Sequence, residues 1–143
     1  MKWLLWIAVA LAVTVGMIAA VGFLLPEVHE ASRSAEFSKP PESVYALISD
    51  LENYATWWPE NEVDVEVVEA VPPGKFVTRI VGESAFGGTW TWNIEKTPTG
   101  SRATITERGE IYNPIFRTLA RFVFGYTSSM ENCLAAAQRK LRT

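Results

Sequence analysis

Hydrophobic residues follow three different patterns along this chain, and each pattern predicts a different kind of element. From Trp3 to Leu25 they run without a charged residue. At about 1.5 Å per residue, such a run can cross the roughly 30 Å hydrocarbon core of a bilayer. Later in the chain apolar and polar residues alternate, which is typical of strands. Near the C-terminus apolar residues return every three or four positions, which predicts an amphipathic helix.

The alternating and helical patterns predict one small domain after the apolar run. The expected elements are a strand over 34–38, a helix opened by Pro40-Pro41, a short helix over 51–57, strands over 63–67, 76–81, 89–94 and 103–112, and one long helix from Asn113-Pro114 nearly to the C-terminus. Short turns join the strands, which excludes parallel crossovers. The predicted fold class is therefore α+β, with an antiparallel sheet packed on the apolar stripe of the last helix.

The apolar run is interpreted as a transmembrane anchor over 1–26, followed by a linker over 27–33 and a domain over 34–143. A cleaved signal peptide is the alternative, but its apolar region is shorter, about 7–15 residues, and ends at a small-residue cleavage site. Lys2 and the N-terminal amine precede the run, whereas Glu27 and Glu30 follow it. The positive-inside rule then favours a single-pass protein with its N-terminus inside and its domain extracytoplasmic, in the periplasm of a bacterium.

Composition narrows the chemistry that the domain can perform. The net charge is −3 and no basic stripe is present, which argues against nucleic acid as a partner. Acidic residues at 60, 62, 64, 66 and 69 are interpreted as a solvated strand face. Cys133 is the only cysteine and His29 the only histidine, so we expect no disulfide, no zinc site and no Ser-His-Asp triad.

Three stretches of the domain are similar to a known superfamily. They are SRSAEFSKPPESVYALISDLENYATWW, FGGTWTWNIEKTPTGSRATITERGEIYNPIFR and RFVFGYTSSMENCLAA, which cover most of residues 32–137. The chain resembles the START-like (SRPBCC) superfamily in its polyketide cyclase/dehydrase-type branch. The proline-led helix followed by Asp50, Tyr54 and Trp57 or Trp58 carries the general likeness. The segment 106–114 resembles a subgroup of uncharacterised proteins, many of which have an N-terminal membrane anchor.

This resemblance implies a helix-grip fold, in which a curved antiparallel sheet wraps the C-terminal helix around an apolar cavity. Relatives bind lipids, sterols, polyketides or other hydrophobic molecules, and some are cyclases or hydrolases. The chain departs from the usual seven strands, because about five can be counted and a hairpin is missing between Trp58 and Val63. We therefore expect a smaller sheet, an open cavity, or a domain whose gap is covered by a partner.

Glu107 is the carboxylate best suited to a functional role. Alternation along its strand puts it on the apolar face, where a carboxylate must be paired or protonated. The expected partner is Arg79, Arg117 or Arg121. The alternatives are a purely structural ion pair, or a bulge at Gly109 that turns Glu107 outward.

Aromatic residues and a glycine complete the predicted ligand-binding set, which is Trp90, Trp92, Glu107, Phe122, Gly125 and Tyr126. The two tryptophans share a strand face that suits either the wall of an apolar ligand site or an ordinary core. Phe122 and Tyr126 belong to the stripe of the final helix. Gly125 would permit a kink, a close approach of a ligand or close packing on the tryptophans.

Arg117 and Arg121 are four residues apart and share a helix face. They are interpreted either as a contact for an anion or lipid headgroup near the bilayer, or as a solvated face.

Three functions fit these patterns. The first is a membrane-tethered module that binds a hydrophobic small molecule or lipid and needs no catalytic residue. The second is a cyclase- or hydrolase-type enzyme in which Glu107 supplies the acid or base. The third is an interaction domain that pairs with another chain through the edge of its shortened sheet, so that an oligomer is possible. No cofactor is expected under any of them.

Overall fold

A computed structural model describes residues 1–59 and 63–142, and this part of the chain forms one antiparallel sheet with helices packed on it. The helices are α1 (Lys2–Leu24), α2 (Pro41–Ser49), α3 (Tyr54–Trp57), α4 (Pro114–Leu119) and α5 (Ser128–Arg142), with a 3₁₀ turn at Leu51–Asn53 and a π-helical turn at Ala120–Phe124. The strands are β1 (Val28–Phe37), β2 (Asp64–Val71), β3 (Lys75–Val81), β4 (Phe86–Thr97) and β5 (Gly100–Ile111).

The described strands lie in the order β1-β5-β4-β3-β2, so the first strand pairs with the last. This arrangement is the shortened α+β helix-grip fold that the sequence predicts. Strand β2 forms one edge, where it carries a bulge between Val67 and Glu69 and exposed acidic side chains at Asp64 and Glu66. Bulges and charges at an edge discourage pairing with another chain.

The core lies between the inner face of the sheet and helices α2, α3 and α5. Val44 and Ile48 of α2 and Met130 of α5 are fully buried, and Trp92 of β4 is 2% exposed. Burial of each such side chain stabilises the fold by about 1.5–3 kcal/mol. Alternation therefore predicts the inner face of β4 correctly, because Trp92 and Ile94 both point into this core.

The predicted linker over 27–33 is wrong, since β1 begins at Val28. The inward positions of this strand include His29, Ala31 and Ala35, which alternate with more exposed neighbours. Small and polar residues at inward positions hide the period of two that normally reveals a strand. Helix α1 is therefore followed almost directly by the first strand of the sheet.

The predicted single long C-terminal helix is also wrong, because the chain breaks at Gly125. This residue has φ +74°, a conformation that glycine adopts at little cost and that ends a helix. Before the break lie α4 and the π-helical turn, and after it lies α5. The periodic stripe is genuine only in α5, where Met130, Cys133 and Ala137 are buried.

Helix α1 packs against α4 near its C-terminal end. A Cβ atom on Gly22 would lie 1.7 Å from the carbonyl oxygen of Pro114, so the two backbones are in direct contact there. The Thr118 hydroxyl donates to the carbonyl oxygen of Ile18 at 2.7 Å. Arg117 is 8% exposed and donates to the carbonyl oxygen of Gly22 at 3.2 Å. Helix α1 and the domain are therefore joined by side-chain contacts as well as by the chain.

Two of the predictions concern residues 60–62 in part. Glu60 and Glu62 of the acidic cluster, and most of the segment where the hairpin is missing, lie outside the described residues. Asp64, Glu66 and Glu69 are exposed as expected, and Glu69 forms an ion pair with Lys75 at 3.2 Å.

Candidate ligand cavity

A cavity of about 580 Å³ lies between the inner face of the sheet and the segment that runs from α4 into α5. Its size is within the range of small-molecule sites, about 300–1,000 Å³. Most of its wall is apolar, with side chains from β2, β3, β4, β5 and α4. The residues that form this wall include Val65, Ile80, Phe86, Trp90, Trp92, Ile111 and Phe116.

Glu107 lies in this cavity, on the inner face of β5, as alternation predicts. It sits directly opposite Trp90 of β4 in the strand register, and the indole Nε1 of Trp90 donates to Oε1 of Glu107 at 3.1 Å. The register of β5 against β1 continues through Gly109, so the alternative of an outward turn at a bulge is excluded.

The expected arginine partners of Glu107 lie elsewhere. Arg79 pairs with Glu66 on the outer face, and Arg117 contacts Glu27 at 3.1 Å. Arg121 is exposed. Arg117 and Arg121 therefore share neither a face for an anion or lipid headgroup nor a solvated face, because Arg117 is buried at the junction with α1.

The partner that sequence reasoning missed is His29. Its Nε2 atom lies 3.5 Å from Oε2 of Glu107, and the two side chains are 15% and 18% exposed. This distance allows an ion pair when the imidazole is protonated. His29 falls in the predicted linker over 27–33, and only recognition of β1 would reveal it as a cavity residue.

Two further residues hold the imidazole in place. The ring of Tyr126 stacks on it, with centroids 4.0 Å apart and planes at 16°. On the other strand, Gly109 pairs with His29, and a Cβ there would lie 2.3 Å from Cε1 of the imidazole. The glycine therefore leaves the space that the ring occupies. His29, Glu107 and Tyr126 form a polar cluster in a mostly apolar cavity.

Aromatic rings form the wall beside this cluster. The rings of Trp58 and Trp90 stack with centroids 5.6 Å apart, and Trp58 also contacts Tyr54 at 6.2 Å. The Tyr54 hydroxyl donates to the carbonyl oxygen of Ile48, and burial raises the pKa of this phenol. Tyr54 is thus held as a neutral structural donor.

Five of the six predicted ligand-binding residues line the cavity: Trp90, Trp92, Glu107, Gly125 and Tyr126. Within the described residues, the lining does not include Phe122, whose side chain is 66% exposed. The reason is the break at Gly125, which removes Phe122 from the stripe of α5.

One cysteine also lies in the wall of this cavity. Cys133 lines it but is 1% exposed, and burial raises the pKa of its thiol, so that the reactive thiolate is disfavoured. Among residues 1–59 and 63–142, no group of three or more His, Cys, Asp or Glu side chains is placed to hold a metal ion.

No protein-family model matches the chain, and no curated protein matches it by sequence. Solved structures match it by fold. A START superfamily protein from Mycobacterium smegmatis is 15% identical with a TM-score of 0.64, over 80% of this chain and 97% of that one. The chain is also similar to two di-domain ARO/CYC proteins, StfQ from the steffimycin biosynthetic pathway and BexL from the BE-7585A biosynthetic pathway.

Both ARO/CYC proteins are 12% identical to the chain. Their TM-scores are 0.63 and 0.64, over 80% and 84% of this chain and 51% and 52% of theirs. The chain thus spans about half the length of these two proteins. At such identities the comparisons establish a START-like fold.

Proposed function

We propose that this protein is a membrane-anchored START-like domain that binds a hydrophobic small molecule or lipid in its cavity. The observation that carries the proposal is the mostly apolar cavity of about 580 Å³, with the cluster of His29, Glu107 and Tyr126 in its wall. Sites of this kind bind the apolar body of a ligand and fix its orientation through a few polar groups. The similar structures support a binding domain, since they include a START superfamily protein and polyketide ARO/CYC proteins.

The polar cluster narrows the ligand class. Glu107 already accepts from Trp90, and its second oxygen faces His29. A ligand hydroxyl or amine would find an acceptor there, and a carbonyl oxygen would find a donor on the imidazole or on the Tyr126 hydroxyl. The preferred ligand is therefore mostly apolar with one hydroxyl, amine or carbonyl group at its end.

Binding can be tested with the full chain purified in a mild detergent. Native mass spectrometry and solvent extraction would identify co-purified lipid, and displacement of the fluorescent probe N-phenyl-1-naphthylamine would report on cavity occupancy. Ile80→Trp adds volume to the lining, whereas the control Asn93→Trp adds the same side chain on the exposed outer face of β4. We expect Ile80→Trp to weaken probe binding at least tenfold and Asn93→Trp to leave it unchanged. Equal probe binding by both variants would contradict a cavity site.

The membrane part of the proposal rests on α1. This helix has a mean hydropathy of 2.6 over its most apolar window, and it is long and apolar enough to cross a membrane. Lys2 is its first residue and Glu27 follows it, which supports an N-in orientation with the domain outside the cytoplasm. Alkaline phosphatase fused after Thr143 should be active, since this reporter folds only outside the bacterial cytoplasm. An inactive fusion together with a fluorescent GFP fusion would reverse the orientation.

A second candidate function is enzymatic, and His29 is the observation that favours it. A carboxylate 3.5 Å from an imidazole can relay a proton to a bound substrate. Glu107→Gln preserves the shape of the side chain but cannot take up a proton. If the protein is an enzyme, this variant should bind ligand normally and lose turnover by a factor of about 10²–10⁴. If it is a binding module, the ligand extracted from the variant and from the wild type should be chemically identical.

A further inference from the structure

An exposed apolar surface lies next to the anchor helix. It is formed by Phe116 of α4 and by Phe122, Val123 and Phe124 of the π-helical turn, and we refer to these four residues as the apolar lip. Their side chains are 50%, 66%, 66% and 68% exposed. Three phenylalanines and a valine in one short segment are unusual on a water-exposed surface and indicate a contact with another apolar phase.

The contacts between α4 and α1 fix the depth of this surface. Pro114 lies against Gly22, and four residues later Thr118 bonds to Ile18. Residue numbers therefore increase along α4 while they decrease along the facing part of α1. The two helices are antiparallel, and α4 runs back along α1 towards its N-terminal end. Ile18 lies six residues before the end of α1 at Leu24, which is about 9 Å along the helix axis.

That distance places the end of α4 below the membrane surface if α1 spans a bilayer. The helix has 23 residues, or about 35 Å at 1.5 Å per residue, against a hydrocarbon core of about 30 Å. Ile18 then lies inside the hydrocarbon, and Thr118 lies at the same depth. The lip residues 122–124 follow Thr118 in the chain and continue from this depth.

The polar groups of the segment are suited to this environment. From Ile111 to Met130 the sequence has no acidic residue. Arg117 is buried, and its guanidinium donates to the carbonyl oxygens of Ile111 and Tyr112 as well as to Glu27. The backbone of the lip is helical, and Gly125 N–H closes the π-helical turn on Ala120, as hydrocarbon requires of backbone groups.

The lip also borders the cavity. Phe116 and Phe124 are at once exposed and part of the cavity lining, together with Ala120 and Gly125. The cavity therefore opens beside the lip.

We propose that the apolar lip is inserted among the acyl chains of the leaflet that surrounds the C-terminal end of α1, so that the cavity opens towards lipid. This inference rests on the proposed function in one respect, which is that α1 spans the bilayer. The occupant of the surface is the hydrocarbon of that leaflet.

Spin labelling of the full chain can test the insertion. After Cys133→Ala removes the native thiol, single cysteines are introduced at Leu11 in α1, at Phe122 in the lip and at Lys96. All three positions are exposed, and Lys96 lies towards the far end of β4 from the anchor. Each labelled variant is reconstituted in phosphatidylcholine–phosphatidylglycerol vesicles. Power saturation with oxygen, which concentrates in hydrocarbon, and with a water-soluble nickel chelate then reports the depth of each label.

We expect the labels at Leu11 and Phe122 to be relaxed mainly by oxygen and the label at Lys96 mainly by nickel. A label at Phe122 that behaves like the one at Lys96, while Leu11 lies in lipid, would overturn the inserted lip and leave the anchor intact. A label at Leu11 that is accessible to nickel would overturn the anchor and the lip with it. Circular dichroism of each variant confirms that the domain is folded, and Phe122→Cys changes a side chain that is already 66% exposed.

Discussion

His29 and Tyr126 stack with their ring centroids 4.0 Å apart and their planes 16° from parallel. The histidine lies in β1, just after helix α1, and the tyrosine lies between the π-helical turn and α5. The stack therefore connects the beginning of the domain to the segment that forms the cavity mouth. Because His29 also lies 3.5 Å from Glu107, a displacement of the imidazole should alter both its stack with Tyr126 and its contact with Glu107.

Gly109→Ala should displace the imidazole without other damage. The added Cβ would lie 2.3 Å from Cε1 of His29, and the ring can rotate away because it is the end of a side chain. The cost is the stack with Tyr126, about 1 kcal/mol of unfolding free energy. In His29→Ala the same substitution at Gly109 should cost almost nothing. A double-mutant cycle, measured by urea unfolding of the detergent-solubilised chain, gives this coupling, and strictly additive effects would contradict the contact.

Glu107→Ala and Glu107→Gln should differ in stability. The alanine variant leaves the partly buried Trp90 indole N–H without its acceptor, which costs about 1–3 kcal/mol. Glutamine keeps an oxygen at the acceptor position, so its cost should be clearly smaller. Thermal unfolding followed by the near-ultraviolet signal of the tryptophans measures both variants. If the two are equally destabilised, the hydrogen bond to Trp90 does not carry the effect.

Most of the sheet could be predicted from the sequence because its inner face is apolar where it meets the core. Trp92 and Ile94 of β4 lie on the predicted face, and Glu107 of β5 follows from the same period of two. The same alternation explains why the side chain of Glu107 lies in the cavity. Its partner could not be predicted, because pairing across strands depends on register, which the pattern of a single strand does not contain.

The errors lie where local pattern and tertiary structure disagree. Strand β1 pairs along its whole length with β5, but its inward residues His29, Ala31 and Ala35 have little hydrophobicity of their own. The extended conformation of β1 is therefore determined by its pairing with β5 and not by its own hydrophobic pattern. The opposite error occurs at Phe122, where apolar spacing continues through Gly125 although the backbone turns there. The apolar residues of the lip follow the spacing of a core stripe, although their side chains are exposed.

Gly22→Ala should separate helix α1 from α4, whereas Gly16→Ala on the same helix should not. A Cβ at Gly22 would meet the backbone carbonyl of Pro114 at 1.7 Å, and nothing lies within 4 Å of a Cβ at Gly16. Because a backbone atom cannot rotate aside, the helices must part, at a cost of about 1–3 kcal/mol. Hydrogen exchange of the Ile111 amide, which bonds to the carbonyl oxygen of Glu27 beside this junction, should accelerate only in Gly22→Ala. Equal exchange in both variants would contradict the packing.

Arg117→Ala should destabilise the junction, whereas Arg121→Ala should leave stability unchanged. Arg117 is 8% exposed, and its guanidinium bonds to the carbonyl oxygens of Ile111, Tyr112 and Gly22. Loss of hydrogen bonds from a charged group costs about 1.5–3 kcal/mol. Arg117→Lys should recover only part of this, since one ammonium group cannot reach the same fork of acceptors. Unfolding curves that rank Arg121→Ala as the more damaging change would contradict the role of Arg117.

Cys133 and Tyr54 should make the domain less stable in alkali. Burial raises the pKa of the Cys133 thiol, and burial first, with the nearby Cys133 and Asp50 next, raises the pKa of Tyr54. Both groups bind their protons more tightly in the folded chain than in the unfolded one. Stability is therefore fully present below the unfolded pKa of the thiol, about 8.5, and falls as the pH rises above it.

The decrease in stability with rising pH should have two steps, which a substitution at Cys133 can separate. Each group that is protonated when folded and ionised when unfolded removes up to about 1.4 kcal/mol of stability for each pH unit. In Cys133→Ala the decline should begin only near pH 10, where the unfolded tyrosine ionises. Urea unfolding between pH 7 and 11 measures the slopes, and iodoacetamide should modify Cys133 at pH 8 only as fast as the domain opens. Rapid modification of the folded chain would show that the thiol is exposed to solvent, contrary to its 1% exposure.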